Sequence, residues 1–461
     1  MPSLVTAGMT HTTRNNRGNR KKKTHWARSR RTPNRAKKPA KGKRKAKARK
    51  PGRNRAERPK KGKAKKAKRS STRPSVLRAR RRARRIGRKG TQRMVDSVFA
   101  NLHQKRRLSL ANYTVGAMHA PSAAIHAIGA GYAAVAATSP KHGVKQVDRF
   151  LSNKGIQVEE LTPQWAAFVL GKRKEAIIAL DWTEFDEDDH STLAAYVVTT
   201  HGRATPLAWK TVRKSTLRGK RTAYELEMVE RLHEAIPKKV GIELLADRGF
   251  GSTKLYDLLE LFGWDYTIRF RGSIVVEHKG EAKPVKEWLP PSGRATKLRN
   301  VRVTRNRTDV GAVVVVRAKK MKEAWYLATN RTDRPASQTV KLYGRRFTIE
   351  ETFRDQKDLH FGMGLSATHI GSEERRDRLL MLLAIAHALL TLLGAASERS
   401  GLDAYLKVNT VKRRTHSLFR QGSYWYHCLP TMRRDWLARL MNAFVEVLAE
   451  HENMTGILGA I

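Results

Sequence analysis

Two short runs decide the fold: Ala176-Ile177-Ile178-Ala179-Leu180, closed by Asp181, and Ile242-Glu243-Leu244-Leu245-Ala246, closed by Asp247. Each is a brief apolar stretch of the kind that forms a buried strand, and each ends on a carboxylate. Between them, Leu193 to Thr199 and Ala204 to Val212 read as two further strands, and Ala223 to Ile236 as an amphipathic helix. After them, Ser252 to Phe262 reads as a helix and Tyr266 to Phe270 as a strand. The order β-β-β-α-β-α-β predicts an α/β sheet with mixed strand directions. In such sheets, ligands gather at the carboxyl ends of strands. Asp181 and Asp247 are both expected there. A strand-end Asp also serves as a turn former or helix cap, and Asp247 next to Arg248 also suits a solvated ion pair.

The rest of the chain sorts around this core. Residues 273–335 carry short β-type runs at Val275-Val276, Val301 to Thr304, Val310 to Val316 and Trp325 to Ala328, a β-rich insertion. Residues 91–170 are expected to be helical, from apolar residues at helical spacing in Met94, Val95, Val98, Phe99 and Leu102. There Ser139-Pro140 opens a helix of about Lys141 to Leu151, with Gly155 suited to its stop, and Lys141, Lys145 and Arg149 along one side. This region is read as a helical DNA-binding domain, with a plain helical cap as the competing reading. Residues 336–400 and 401–461 return to helix. The run Leu379 to Ala396 has nearly the length of a membrane span, but His387, Thr391 and the charged residues before it favour a buried core helix.

Charge narrows the partner. The 461 residues hold 95 Lys+Arg against 40 Asp+Glu, a formal net charge of +55. Residues 11–90 alone hold 38 Lys+Arg and one acid, Glu57, while the other 381 residues hold 57 bases and 39 acids. Residues 1–90 are therefore read as a disordered tail, with Met94 as an alternative start. The folded part stays basic without it, which points to nucleic acid, with an acidic membrane surface as the alternative. One cysteine, Cys428, excludes a disulfide framework and a cysteine-rich zinc site. No secretory signal is expected, since no apolar h-region follows the basic N-terminus.

A third acid stands out by its company. Tyr343, Arg346, Glu350 and Lys357 lie in an expected helix from Leu342 to Lys357. At ~100° per residue, they point within about 60° of one another. A carboxylate among Arg, Lys and Tyr suits a place between metal and phosphate. A helix laced with Arg346–Glu350 pairs also explains the charges, but not Tyr343 and Lys357 at those offsets.

Tyr343-x2-Arg346-x3-Glu350-x6-Lys357, with the two aspartates upstream and the β-rich segment between Asp247 and Glu350, resembles the signature of DDE insertion-sequence transposases of the transposon-five-like branch. Asp247-Arg248-Gly249-Phe250 is also similar to that family's second-aspartate motif. The resemblance covers about residues 91–400. It implies an RNase H-like core with a β-rich insertion, flanked by helical N- and C-terminal regions. It implies Asp181, Asp247 and Glu350 as catalytic metal ligands for two Mg2+ or Mn2+ ions. It gives Tyr343, Arg346 and Lys357 a grip on the backbone of the transposon end, Trp325 a stacking role on a flipped base, and Arg269 and Arg271 DNA contacts nearby. Trp325 reads equally well as a buried strand aromatic. The implied activity is cleavage of double-stranded DNA ends and strand transfer by a homodimer, the C-terminal helices being candidates for its contact, in a cytoplasmic, nucleoid-associated setting with no membrane. The rival expectations are a DNA-binding protein without catalysis and a metal-dependent nuclease without strand transfer.

Overall fold

The computed structural model describes residues 86–453. Most of the basic tail lies outside that range. Its expected boundary shifts, because Ile86 and Thr91 are fully buried and a helix, α1 (Arg88–Val98), already runs through residues 88–90. Four more helices follow: α2 (Gln104–His119), α3 (Ile125–Ala136), α4 (Pro140–Leu151) and α5 (Val158–Leu170). Val95 and Phe99 are buried at the helical spacing that their sequence positions require. The Ser139 hydroxyl accepts the His142 N–H at 3.3 Å, capping α4 with proline in its first turn. Gly155 does not end α4. The helix stops at Leu151, where the Ser152 N–H turns back to the carbonyls of Asp148 and Phe150.

Ten strands form one sheet in the order β3-β2-β1-β4-β5-β10-β9-β8-β6-β7. The core strands are β1 (Glu175–Phe185), β2 (His190–Val198), β3 (Ala204–Arg213), β4 (Gly241–Ala246) and β5 (Asp265–Arg269). β1 to β3 are antiparallel, whereas β4 and β5 run parallel to β1 through the crossover helices α6 (Arg221–Ala235) and α7 (Thr253–Leu261). This is the mixed sheet that the order of elements predicts. β1 outlasts its expected end at Leu180, because it stays paired with β2 as far as Phe185↔His190. Its parallel pairing with β4 does stop there, at Leu180↔Ala246. Asp181 thus stands one residue past the point where β4 ends.

The β-rich insertion is an extension of the core sheet. β10 (Trp325–Thr329) pairs antiparallel with β5 at Leu327↔Arg269 and Thr329↔Thr267, and carries β9 (Thr308–Val316), β8 (Thr296–Val303), β6 (Val275–His278) and β7 (Glu281–Pro284) beyond it. The chain then returns as α8 (Ala336–Gly344), a 3-10 turn (Arg345–Phe347) and α9 (Thr348–Lys357). The single helix expected over Leu342 to Lys357 is therefore broken. α8 puts Tyr343 on Val314 and Leu327 of the extension, while α9 puts Ile349 and Phe353 on Ile177, Ala179 and Leu245 of the core. Reaching both surfaces requires the turn between them.

The other face of the sheet is covered by α10 (Glu373–Arg399), packed with α11 (Leu418–Cys428) and α12 (Arg434–Asn453). The apolar run of α10 is buried within the protein. Two arginines of its charged start, Arg376 and Arg378, are buried too. The Arg376 side chain has no exposure and pairs with Asp188, the Arg378 guanidinium donates to the Ile156 and Leu151 carbonyls at 2.8 Å, and Asp377 accepts the Thr211 hydroxyl at 2.6 Å. Gly394 and Gly422 let α10 and α11 touch backbone to backbone. A Cβ at Gly422 would lie 1.8 Å from the Leu390 carbonyl oxygen.

Candidate active site

Asp181, Asp247 and Glu350 reach the site from β1, the end of β4 and α9 respectively. Asp181 is more enclosed than Glu350, its side chain 18% exposed against 49%. Burial pushes its pKa up to about 6; Arg346 and the Trp182 N–H, 2.9 Å from Oδ1, pull it down, while Asp247 and Glu350 push it further up. Asp181 therefore feels both other carboxylates. Asp247 also does local work, since its Oδ1 accepts the Gly249 N–H at 2.7 Å and so caps the turn Arg248–Phe250. The expected alternative, a pair with Arg248, does not form. Arg248 reaches Glu323 at 3.3 Å instead.

Arg346 sits inside this group. Its guanidinium donates to Asp181 Oδ2 at 3.0 Å and to Glu350 Oε1 at 2.5 Å, and its side chain is only 6% exposed. Burial alone would lower its pKa; Tyr343, Asp181 and Glu350 more than offset this and raise it. Tyr343 is buried against Trp325, ring centroids 5.0 Å apart, and its hydroxyl pKa is raised to about 12, chiefly by burial. Trp325 is half-buried, with the exposed Phe347 ring 5.9 Å away.

Lys357 points elsewhere. Its ammonium donates to the Glu184 carbonyl at 2.6 Å and lies over the Phe185 ring, and burial, then Arg376, lowers its pKa to about 8. Arg269 donates to the Ala324 carbonyl at 3.2 Å and pairs with Glu323 at 2.9 Å, whereas Arg271 is exposed just past β5. So Tyr343, Arg346, Glu350 and Trp325 come together with the two aspartates, and Lys357 and Arg271 stand apart from that group.

The acidic stretch after Asp181 competes for the same role in sequence, and the structure separates its members. Glu184 pairs with Lys214 and with Arg221, Asp188 with Arg376, and Asp189 accepts the Ser215 N–H at 2.9 Å. Each is spent on a structural contact. Glu225, which the sequence reading passed over, is buried and accepts the Trp182 indole N–H at 3.0 Å. Burial raises its pKa and Asp247 adds to the rise. Its signal was present: Glu225 falls on the stripe Met228, Val229 and Leu232, where an acid is out of place.

Hard carboxylate oxygens suit magnesium or manganese chemically. Among the described residues, no set of three or more His, Cys, Asp or Glu side chains is closed up as a metal cage. Arg346 takes one oxygen each from Asp181 and Glu350.

Residues 209–389 match the transposase DDE domain family. The matched stretch runs from β3 into α10 and holds Asp247 and Glu350, with Asp181 lying upstream of it. The match supports a DDE transposase, a class of nucleic-acid-cleaving enzymes that generally work with divalent metals and on DNA. No curated protein matches the chain.

Proposed function

We propose that this protein is a cut-and-paste transposase of an insertion sequence, joining and cleaving DNA by phosphoryl transfer at Asp181, Asp247 and Glu350. The observation that carries the reading is the meeting of Asp181 and Glu350 on one guanidinium, that of Arg346, with Asp247 at the end of β4, the strand parallel to β1. Their oxygens are the ones to hold two divalent cations, Mg2+ or Mn2+, whose chemistry is Lewis-acid stabilisation of the attacking and leaving oxygens. The residues do the rest. Asp181 is held in place by its own neighbour's N–H and by Arg346, and Asp247 by its cap on Gly249. The first step is hydrolysis of the phosphodiester at the element's end, which leaves a 3′-hydroxyl. In the second, that hydroxyl attacks the opposite strand or target DNA. Arg346 is placed to hold the reacting phosphate, and Trp325 with the Phe347 ring offers an aromatic surface for an unstacked base. Arg269 and Arg271 are further DNA contacts in this reading, while Tyr343 backs the Trp325 ring and Lys357 holds the Glu184 carbonyl. A homodimer bridging two ends is the working assembly.

The test is incubation with Mg2+ and DNA carrying the inverted repeats that flank the gene. Clean end cleavage with joined products is expected. Nicks alone would make the protein a nuclease, and band shifts without cleavage a DNA binder. Asp181→Asn should lose cleavage and keep end binding.

A further inference from the structure

Arg346 spends its charge on the two carboxylates that the proposed reaction needs. Nη1 holds Asp181 Oδ2 at 3.0 Å and Nη2 holds Glu350 Oε1 at 2.5 Å. Its Nε is buried without a hydrogen-bond partner, and its flat face lies over the Phe347 ring at 4.8 Å. An arginine cannot shed its proton to make way for another cation. A divalent ion bound to the same oxygens would meet a fixed positive charge and one lone pair of each already taken. The two cations therefore compete at these atoms.

We propose that Arg346 is the site's own counter-cation: it competes with divalent metal for Asp181 and Glu350, and a DNA phosphate draws it away and so hands the carboxylates to the metal. This rests on the reading of Asp181, Asp247 and Glu350 as the metal-holding set. A phosphate is the right lure. It offers two oxygens to a guanidinium fork, matching the two contacts given up. The way out is short, because Phe347, which stacks on Arg346, is itself exposed. The exchange offsets part of the negative charge of Asp181 and Glu350 while no DNA is present, and it couples DNA arrival to metal loading. By linkage, metal must then favour DNA by the same factor.

The test is Mn2+ titration of the full chain without DNA, read by electron paramagnetic resonance. Arg346→Gln should bind Mn2+ at least tenfold more tightly than the unaltered protein. Arg345→Gln removes the same charge from a neighbour that lines a different groove, beside Gly241 and Glu243, and should change affinity less than threefold. Arg346→Lys keeps the charge but reaches one carboxylate at most, so its affinity should fall between the two. A short duplex with the flanking repeats should raise Mn2+ affinity tenfold or more in the unaltered protein, and by a smaller factor in Arg346→Gln. Equal DNA-free affinities for Arg346→Gln and the unaltered protein would overturn the competition, and a duplex with no effect would overturn the exchange. If Arg346→Gln does not fold, as judged by circular dichroism, Arg346→Lys carries the same comparison. Unchanged Mn2+ binding in Asp181→Asn would instead sink the metal reading itself, whatever Arg346 does.

Discussion

Asp181→Asn should make the protein more stable as it makes it inactive. Burial raises the Asp181 pKa from 3.8 to about 6, even with Arg346 opposing the rise. Two pKa units correspond to about 3 kcal/mol. The sign follows from the direction. Below about pH 4 the acid is protonated in both folded and unfolded chains, and no penalty exists. Between about pH 4 and 6 the unfolded chain ionises first, so folded stability falls. Above pH 6 the full penalty of about 3 kcal/mol is in place. Asparagine carries no such charge, and its amide oxygen can still accept the Trp182 N–H, while Arg346 keeps Glu350. Unfolding entropy for a chain of this size is of order 0.8–1 kcal/mol per degree, so the gain at pH 7.5 is a rise in Tm of about 3 °C. The assay is urea and thermal unfolding of both proteins in chelator, from pH 4 to pH 8. Asp377, also buried and raised to about 7, bends both curves alike, so their difference isolates Asp181. The two should coincide at pH 4 and separate above pH 6. An Asp181→Asn protein that is no more stable at pH 7.5 would refute the placement of Asp181 in a desolvated acidic group.

Three further outcomes follow from other parts of the molecule. Gly422→Ala should cost several kcal/mol, at the upper end of the ~1–3 kcal/mol usual for overpacking, because its Cβ meets the Leu390 backbone rather than a movable side chain; urea unfolding reads it. Trp325→Leu should lower end cleavage tenfold or more while reducing stability by about 1–2 kcal/mol, since the half-buried ring packs on Tyr343; unchanged cleavage would make it a packing residue alone. Removing residues 1–85 should weaken DNA binding and flatten its dependence on salt, because that segment holds most of the 38 bases counted in residues 11–90; titration at several salt concentrations measures the slope.

Period and punctuation determined the α/β alternation, the helical flanks and the burial of the long apolar helix, because those properties are local: a strand or an amphipathic helix carries its own pattern. Asp181 and Asp247 were visible for the same reason, each standing where an apolar run stops. What the sequence could not decide was which acids share a space. The apolar run singles out Asp181 from Glu184, Asp186 and Asp188, but the pairing of those three with Lys214, Arg221 and Arg376 is a matter of tertiary structure. Nor could a helical wheel show that Tyr343 and Glu350 belong to two helices. The turn lies between Tyr343, packed on Val314 and Leu327 of the extension, and Ile349 and Phe353, packed on core strands as far back in the chain as Ile177. Arg346 is the clearest case. Its sequence position suggests a partner four residues on, Glu350, which is a local fact. Its contact with Asp181 closes a distance of 165 residues, and only the tertiary fold can supply that, because burying the carboxylate is what gives the contact its strength.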